Sequence, residues 1–97
     1  MEKNLIAITT LCSYYKIEFS FIDELQRIGL IQVVIIEQDQ FIHQDQISDL
    51  EKMIRLHNEL NVNIEGIDVV FNLLNKEKEL REELNALKNR LRLYEND

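Results

Sequence analysis

The side chains that could do chemistry are few in this chain, and its two histidines are the first to consider. His43 and His57 are fourteen residues apart. Neither has a second His, a Cys or a carboxylate at a spacing that would build a metal site with it. One histidine stands near the start of a predicted helix and the other near its end. We therefore expect solvated or capping roles for both.

Nucleophilic catalysis has equally little support. The single cysteine, Cys12, lies in ITTLCSYY, a context that predicts a small buried thiol. The two glycines, Gly29 and Gly66, are isolated, so neither a phosphate-cradling loop nor a nucleophile elbow can form around the serines. The sequence thus predicts no catalytic, cofactor-binding or metal site, and it favours a binding module over an enzyme.

Recognition of a cationic partner is the chemistry that suits the acidic residues. Eighteen Asp and Glu against eleven Lys and Arg give a net charge of −7, which repels a phosphate backbone and attracts a basic protein surface. Asp45 with Asp49, and Glu65 with Asp68, are three or four residues apart and would share helix faces. The more common role of such acids is to favour helix N-termini and solvate a surface.

Length and composition set the outer limits. A chain of 97 residues without proline predicts one modest domain of helices and short turns, with room for a helical extension. The first apolar run has four residues, too short for a signal peptide, and no stretch approaches the ~18 apolar residues of a membrane span. We expect a cytoplasmic protein without a membrane partner.

The first half of the chain predicts two short helices. Thr9 or Thr10 can cap a helix over about Thr10–Tyr15, and a second helix is expected over about Phe19–Ile28. Gly29, which tolerates a positive φ, should end the second helix. The apolar residues of the second helix recur at three- and four-residue steps and form one buried stripe: Phe21, Ile22, Leu25 and Ile28.

A change of periodicity after the second helix predicts a β-hairpin. Two runs of β-branched and aromatic residues lie between Leu30 and Ile42, on either side of the polar segment Glu37–Gln40. A third helix is expected over about Gln44–Leu60. Its predicted buried residues are Ile47, Leu50, Met53, Ile54 and Leu60.

The last third of the chain predicts one long helix. Asn61 is a plausible left-handed stop and Asn63 can cap a helix running from about Ile64 to Tyr94. This divides the chain into a winged helix-turn-helix-like domain, residues 1–61, and a long C-terminal helix for dimerisation, residues 62–97. The heptad positions facing a partner helix are Val70, Glu77, Leu84 and Leu91 at one core position, and Leu73, Leu80, Leu87 and Tyr94 at the other.

This order of elements, with IGLI after the second helix and FIHQDQISDLEKMIRL after the hairpin, resembles the MerR-type winged-helix superfamily. The resemblance implies a mainly α fold, a winged helix-turn-helix with a small hairpin wing and a long C-terminal helix. In that superfamily an Arg and two Tyr precede the Gly-Leu-Ile, but here the positions hold Asp23, Glu24 and Leu25. The twenty-four residues between Arg27 and Lys52 also contain no Lys or Arg. Because each phosphate contact needs a cation, we expect no specific nucleic-acid binding.

Within that superfamily, RLHNELNVNIEGIDVVFNLLNKEKELREELNALKNRL, residues 55–91, resembles the CbpM family of chaperone modulators. The resemblance implies a small acidic protein that binds the CbpA-type J-domain cochaperone and covers its J-domain, which otherwise stimulates Hsp70. A J-domain presents a basic helix to Hsp70, so an acidic protein can compete for it. The predicted partner-binding residues are Glu59, Glu65 and Asp68, and in second place Asp45 and Asp49.

Two other classes of function remain open at this point. A MerR-type transcription regulator would need cations on the second helix and wing, whereas a bare coiled-coil scaffold would leave the N-terminal two-thirds without a role. The apolar seam of the last helix predicts a homodimer, formed by the dimerisation residues Val70, Leu73, Leu80, Leu84, Leu87 and Leu91. Parallel and antiparallel pairing are both compatible with that pattern.

Overall fold

The computed structural model describes residues 4–95. It confirms a mainly helical fold with a small antiparallel sheet, compatible with a MerR-like winged helix. A 3₁₀ turn over Gln44–Gln46 precedes the third α-helix. In chain order the elements are β1 (Leu5–Ala7), α1 (Ile8–Tyr15), α2 (Phe19–Ile28), β2 (Val33–Ile36), β3 (Asp39–His43), α3 (Ile47–Leu60) and α4 (Ile64–Glu95).

The start of α1 differs from the sequence prediction. Ala7 occupies the N-cap position without a side-chain cap, and Thr9 and Thr10 lie inside the helix, exposed to solvent. The predicted threonine cap was wrong because β1 runs directly into α1. That short strand was itself not predicted. Because β1 ends at Ala7 and α1 begins at Ile8, neither threonine lies at the N-cap position.

The end of α2 confirms the role of Gly29. Its φ is 95°, and its N–H donates to the carbonyls of Leu25 and Gln26. The N–H of Leu30 also donates to the Leu25 carbonyl, at 2.9 Å. A Cβ at Gly29 would meet nothing within 4 Å, so glycine is favoured here by the left-handed backbone and not by lack of space.

The wing is a three-stranded antiparallel sheet in the order β1-β3-β2. A two-residue turn, Glu37-Gln38, joins β2 to β3, and both of its residues have positive φ, 51° and 72°. Positive φ at both positions is the geometry that matches the twist of a tight hairpin. The hairpin is therefore confirmed, but the predicted polar loop Glu37–Gln40 was too long, since its last two residues pair with β2.

Local polar contacts fix the start of α3 against the segment after α2. The N–H of Gln32 donates to Gln46 Oε1 at 2.9 Å, and Gln46 Nε2 donates to the Gln32 carbonyl at 3.0 Å. The first three residues of the predicted third helix form the 3₁₀ turn and not an α-helix. The 3₁₀ turn carries the chain from β3 to α3, and the two hydrogen bonds between Gln46 and Gln32 hold that turn against the segment after α2.

The junction of α3 and α4 follows the sequence prediction closely. Asn61 is left-handed with φ 57°. The Asn63 side chain caps α4, because its Oδ1 accepts a hydrogen bond from the Gly66 N–H at 2.8 Å. Leu60 was predicted to be buried but is 66% exposed. Ile54 is the last buried residue of α3, whereas Leu60 is its final residue, where the chain turns toward α4.

The core lies between the sheet and the helices. Its contributors are α1, α2 and α3, the buried strand residue Ile42, and the first turns of α4. The last buried residue of α4 is Phe71, and residues 72–94 are exposed. The 32-residue helix is about 48 Å long at 1.5 Å per residue, so most of it projects from the domain. No helix among the described residues is long and apolar enough to cross a membrane.

Candidate protein-interaction surfaces

The exposed face of α2 is acidic where a DNA-reading helix would be basic. Phe21, Ile22 and Leu25 point into the core, which leaves Asp23 and Glu24 on the solvent side of the same helix. The predicted buried stripe is thus confirmed at these three positions. With the exposed Arg27 in the last turn, α2 presents two acids and one cation to a partner, a net charge of −1.

Asp23 also acts on the thiol beneath it. Burial raises the pKa of Cys12 from its ordinary value, and the negative charge of Asp23 raises it further. Cys12 is 7% exposed and belongs to the core. The prediction of a buried thiol is confirmed, and a raised pKa keeps that thiol protonated and weakly nucleophilic at neutral pH.

The acidity of the chain is concentrated in its winged part. Residues 4–61 carry nine Asp and Glu against four Lys and Arg, a net charge of −5, whereas residues 62–95 carry seven against six. At the wing tip, Glu37 and Asp39 are exposed. Both elements that contact DNA in a winged helix-turn-helix therefore meet a phosphate backbone with like charge.

Comparison with protein-family models identifies the fold family. The model described as MerR HTH family regulatory protein matches residues 6–89. The chain belongs to this family. Neither the curated proteins nor the solved structures give a significant match. Family membership confirms the MerR-like part of the predicted resemblance, while the match does not extend to the narrower CbpM family. This MerR-family chain thus carries two exposed acids on α2 and no Lys or Arg on its strands β1, β2 and β3.

The first group of predicted partner-binding residues flanks the turn between α3 and α4. Glu59 lies in the last turn of α3 and is exposed, beside a shallow cleft that Tyr15 and Glu51 also line. Glu65 is exposed in the first turn of α4, and Asp68 follows it, half-buried. The structure places these three acids at one end of the domain.

The second group lies at the opposite end of α3. Asp45 is in the 3₁₀ turn and Asp49 in the first turn of α3, both exposed. The fourteen residues of α3 separate the two groups by about 20 Å at 1.5 Å per residue. A single small helix could not lie centrally on both groups, so they are alternative contact surfaces.

The histidines have structural partners, as the sequence predicted. His43 Nδ1 accepts a hydrogen bond from the Asp45 N–H at 3.2 Å and so caps the 3₁₀ turn. His57 Nδ1 lies 3.2 Å from the Val62 carbonyl, which fixes its donor nitrogen, and its ring centroid is 4.7 Å from that of Phe21. Within residues 4–95 no group of three or more His, Cys, Asp or Glu could hold a metal ion.

The leucine seam of α4 is open to solvent. Val70 is the exception, since it is half-buried and packs against the core. Glu77, the charged member of the seam, forms an ion pair with Arg81 on the next turn. The remaining predicted dimerisation residues are 50–63% exposed: Leu73, Leu80, Leu84, Leu87 and Leu91.

The solvent side of the sheet is a surface that the sequence analysis missed. Cross-strand pairing puts Ala7, Phe41 and Val34 in one row, and Ile42, on the opposite side, is fully buried. The apolar residues of β1, β2 and β3 were visible in the sequence, but which of them share one side of the sheet depends on the strand register. We call this surface the outer sheet face, and its apolar members are Leu5, Ala7, Val34, Ile36 and Phe41.

Proposed function

We propose that this MerR-family chain is a protein-binding module that inhibits a CbpA-like J-domain cochaperone by covering its J-domain and competing with Hsp70. The observation that supports it best is the placement of Asp23 and Glu24 on the exposed face of α2, next to a wing without cations. A helix-turn-helix domain with an acidic surface in place of a basic one repels the phosphates of nucleic acid and attracts a basic protein. The likeness of residues 55–91 to the CbpM family supports a CbpA-type J-domain protein as that basic partner.

Competition of this kind requires no chemistry. An acidic surface attracts the basic helix of a J-domain at long range and raises the association rate. Apolar contacts at the centre of the interface then hold the complex together and set its dissociation rate. The two acidic groups at the ends of α3 are candidate rims: Glu59, Glu65 and Asp68, or Asp45 and Asp49.

The proposed active form is a homodimer joined through α4. The seam leucines from Leu80 to Leu91 lie beyond Phe71, the last buried residue of α4, so within the described residues the domain core does not reach them. Association of two copies would bury them. A dimer would also present two acidic surfaces to its partner, which increases the effective concentration of the second contact.

The test measures ATP hydrolysis by Hsp70 in the presence of a CbpA-type cochaperone. Increasing amounts of the full chain should suppress the stimulated rate and leave the unstimulated Hsp70 rate unchanged. Excess Hsp70 should restore the stimulated rate, because the two proteins compete for one J-domain. Stimulation that persists at a large excess of the chain would show that the proposal is wrong.

The rival function is DNA binding, which family membership favours on general grounds. A fluorescence-anisotropy titration against random and genomic duplex DNA at physiological salt distinguishes the two. We expect no sequence-dependent binding below the micromolar range, because the like charges of α2 and the wing oppose phosphate contacts. Submicromolar, sequence-dependent binding would replace our proposal by the rival.

A further inference from the structure

The outer sheet face is apolar although it faces solvent. In an antiparallel sheet, paired residues point to the same side and successive residues to opposite sides. The row Ala7, Phe41 and Val34 therefore lies opposite the row Ile6, Ile42 and Val33, whose members belong to the core or pack against it. Two further members, Leu5 and Ile36, extend the outer row in both directions.

The core does not use this apolar surface. None of the five members of the outer sheet face packs against the core cluster formed by the described residues. Val34 is 40% exposed, and Leu5, Ala7, Ile36 and Phe41 are shielded only in part. The register also puts Asp39 beside Ile36 and His43 beside Leu5 on this side, so polar residues lie at its two ends and the apolar centre is Ala7, Val34 and Phe41. An antiparallel sheet that is solvated on one side usually carries polar residues throughout that side, so the apolar centre is the feature to explain.

Among the described residues, acidic side chains flank the face, and its three strands contain no Lys or Arg. Glu37 and Asp39 are exposed at the wing tip, and Asp45 follows the base of β3. The Gln44 N–H donates to the Asn4 carbonyl at 2.6 Å, which places the Asp45 turn beside the start of β1. The whole segment from Ile28 to Glu51 has no Lys or Arg. The apolar patch is thus flanked by negative charge at both ends.

These charges decide among the possible occupants. A second copy docking on the same face would bring two acidic rims together in an isologous contact, which like charges oppose. Nucleic acid is disfavoured for the same reason. A protein segment with an apolar stripe flanked by Lys and Arg complements both features of the surface.

We infer that the outer sheet face is the docking centre for a basic amphipathic helix of a partner protein. The inference rests on the proposed function, because it names the surface that receives the basic helix of the J-domain. The five-residue strand β3 is about 17 Å long at 3.3 Å per residue, which matches about three turns of helix. Asp45 then steers one end of that helix, while the group at the α3–α4 junction lies outside the contact.

The first pair of variants tests the apolar contact. The double substitution Val34→Thr with Phe41→Thr keeps strand-forming residues and removes most of the apolar centre. Its control is Tyr14→Thr with Leu60→Thr, which removes two exposed apolar side chains elsewhere. Binding of an isolated CbpA-type J-domain, measured by calorimetry, should weaken at least tenfold for the sheet variant and less than twofold for the control. Circular dichroism and sedimentation check fold and oligomeric state.

The second pair tests the acidic rim. Glu37→Lys with Asp39→Lys changes the charge by +4, as does Glu79→Lys with Glu82→Lys on the exposed side of α4 away from the seam. The wing variant should bind more slowly, with a flatter salt dependence of the association rate, while the α4 variant should change it little. An equal effect of both variants would show that only net charge matters and would overturn the assignment to the wing.

The outcomes separate the inference from the proposed function. A sheet variant that folds and binds the J-domain as tightly as wild type refutes the docking centre and leaves the function standing. A sheet variant whose oligomeric state changes shows instead that a second copy occupies the face. Wild-type protein that binds no J-domain removes the proposed function and this inference with it.

Discussion

The dimer seam offers the most quantitative test of how α4 is used, through the substitution Leu84→Ala. Alanine keeps the helix stable and removes only apolar surface. Leu84 is 50% exposed in the single chain, so pairing of helices can bury about half of the roughly 2–3 kcal/mol that full burial of leucine contributes. That is about 1 kcal/mol per copy and about 2 kcal/mol per dimer. Since 1.4 kcal/mol is tenfold in an equilibrium constant, the dimer Kd should rise about 30-fold.

The matched control is Leu93→Ala. Leu93 is 73% exposed, more than Leu84, but it lies off the heptad seam, and its replacement should change Kd less than about threefold. Sedimentation equilibrium over a concentration series from one to several hundred micromolar measures both constants. Truncation after Asn75 removes most of the seam and should give a monomer throughout this range.

Three results would refute the reasoning. Equal effects of Leu84→Ala and Leu93→Ala would mean that the seam is not the contact. A wild-type monomer at hundreds of micromolar would mean that the exposed leucines await another partner. A truncated chain that still dimerises would place the interface in the winged part. Glu77→Leu gives an independent check, because it replaces the one charged seam residue and should tighten the dimer.

Three further predictions concern the folded domain. The hydrogen bond from the Tyr15 hydroxyl to Glu51, at 2.6 Å, raises the pKa of Tyr15 to about 12. The stabilisation from this hydrogen bond is therefore complete below pH 10 and lost as the pH rises toward 12. Urea unfolding should show the free energy of unfolding falling over this pH range, and Tyr15→Phe should remove that fall. Cys12, buried with a raised pKa, should react with a thiol reagent only at the rate of unfolding. Gly66→Ala should lower the free energy of unfolding by about 1 kcal/mol despite alanine's helix propensity, because its Cβ would lie 2.7 Å from Val62 Cγ1. In a Val62→Ala background the loss should be smaller but not abolished, because that Cβ would still lie 3.0 Å from Asn63 Oδ1, which caps α4.

Three helix ends were predictable because their signals are local, unlike the N-terminus of α1, where the predicted threonine cap was wrong. Gly29 and Asn61 adopt the left-handed backbone that their residue types permit, and Asn63 caps the helix that follows it. Each of these outcomes depends on fewer than five neighbouring residues. The strand β1 depends instead on pairing with β3, some thirty-five residues away, and nothing in its three residues specifies that partner.

Of the candidate surfaces, one was likewise predictable from a local pattern and the other was not. Exposure of Asp23 and Glu24 follows from the buried stripe of α2, which the sequence alone establishes. The outer sheet face could not be assigned, because a shift of one residue in strand register would exchange its members with those of the core row. Likewise, the exposure of Leu60 reflects where the buried part of α3 ends, at Ile54, which local periodicity does not specify.

The structure also explains how a MerR-family chain can lose the charge of a DNA reader without losing its fold. The core of the described domain contains no buried polar or charged residue, and the acids that reverse the reading surface all lie at exposed positions. Substitutions at such positions change stability by about 0.5 kcal/mol or less, yet each reversal from Arg to Asp changes the interaction with a phosphate by two unit charges. The charge that this surface presents is therefore independent of the packing of the core. For the same reason, the double substitution Asp23→Arg with Glu24→Arg should leave the fold intact and raise nonspecific DNA affinity, with a steeper salt dependence in anisotropy titrations. Because the wing would remain acidic, that double variant should still show no sequence preference, and a gain of specific recognition from these two changes alone would contradict the role we give to the wing.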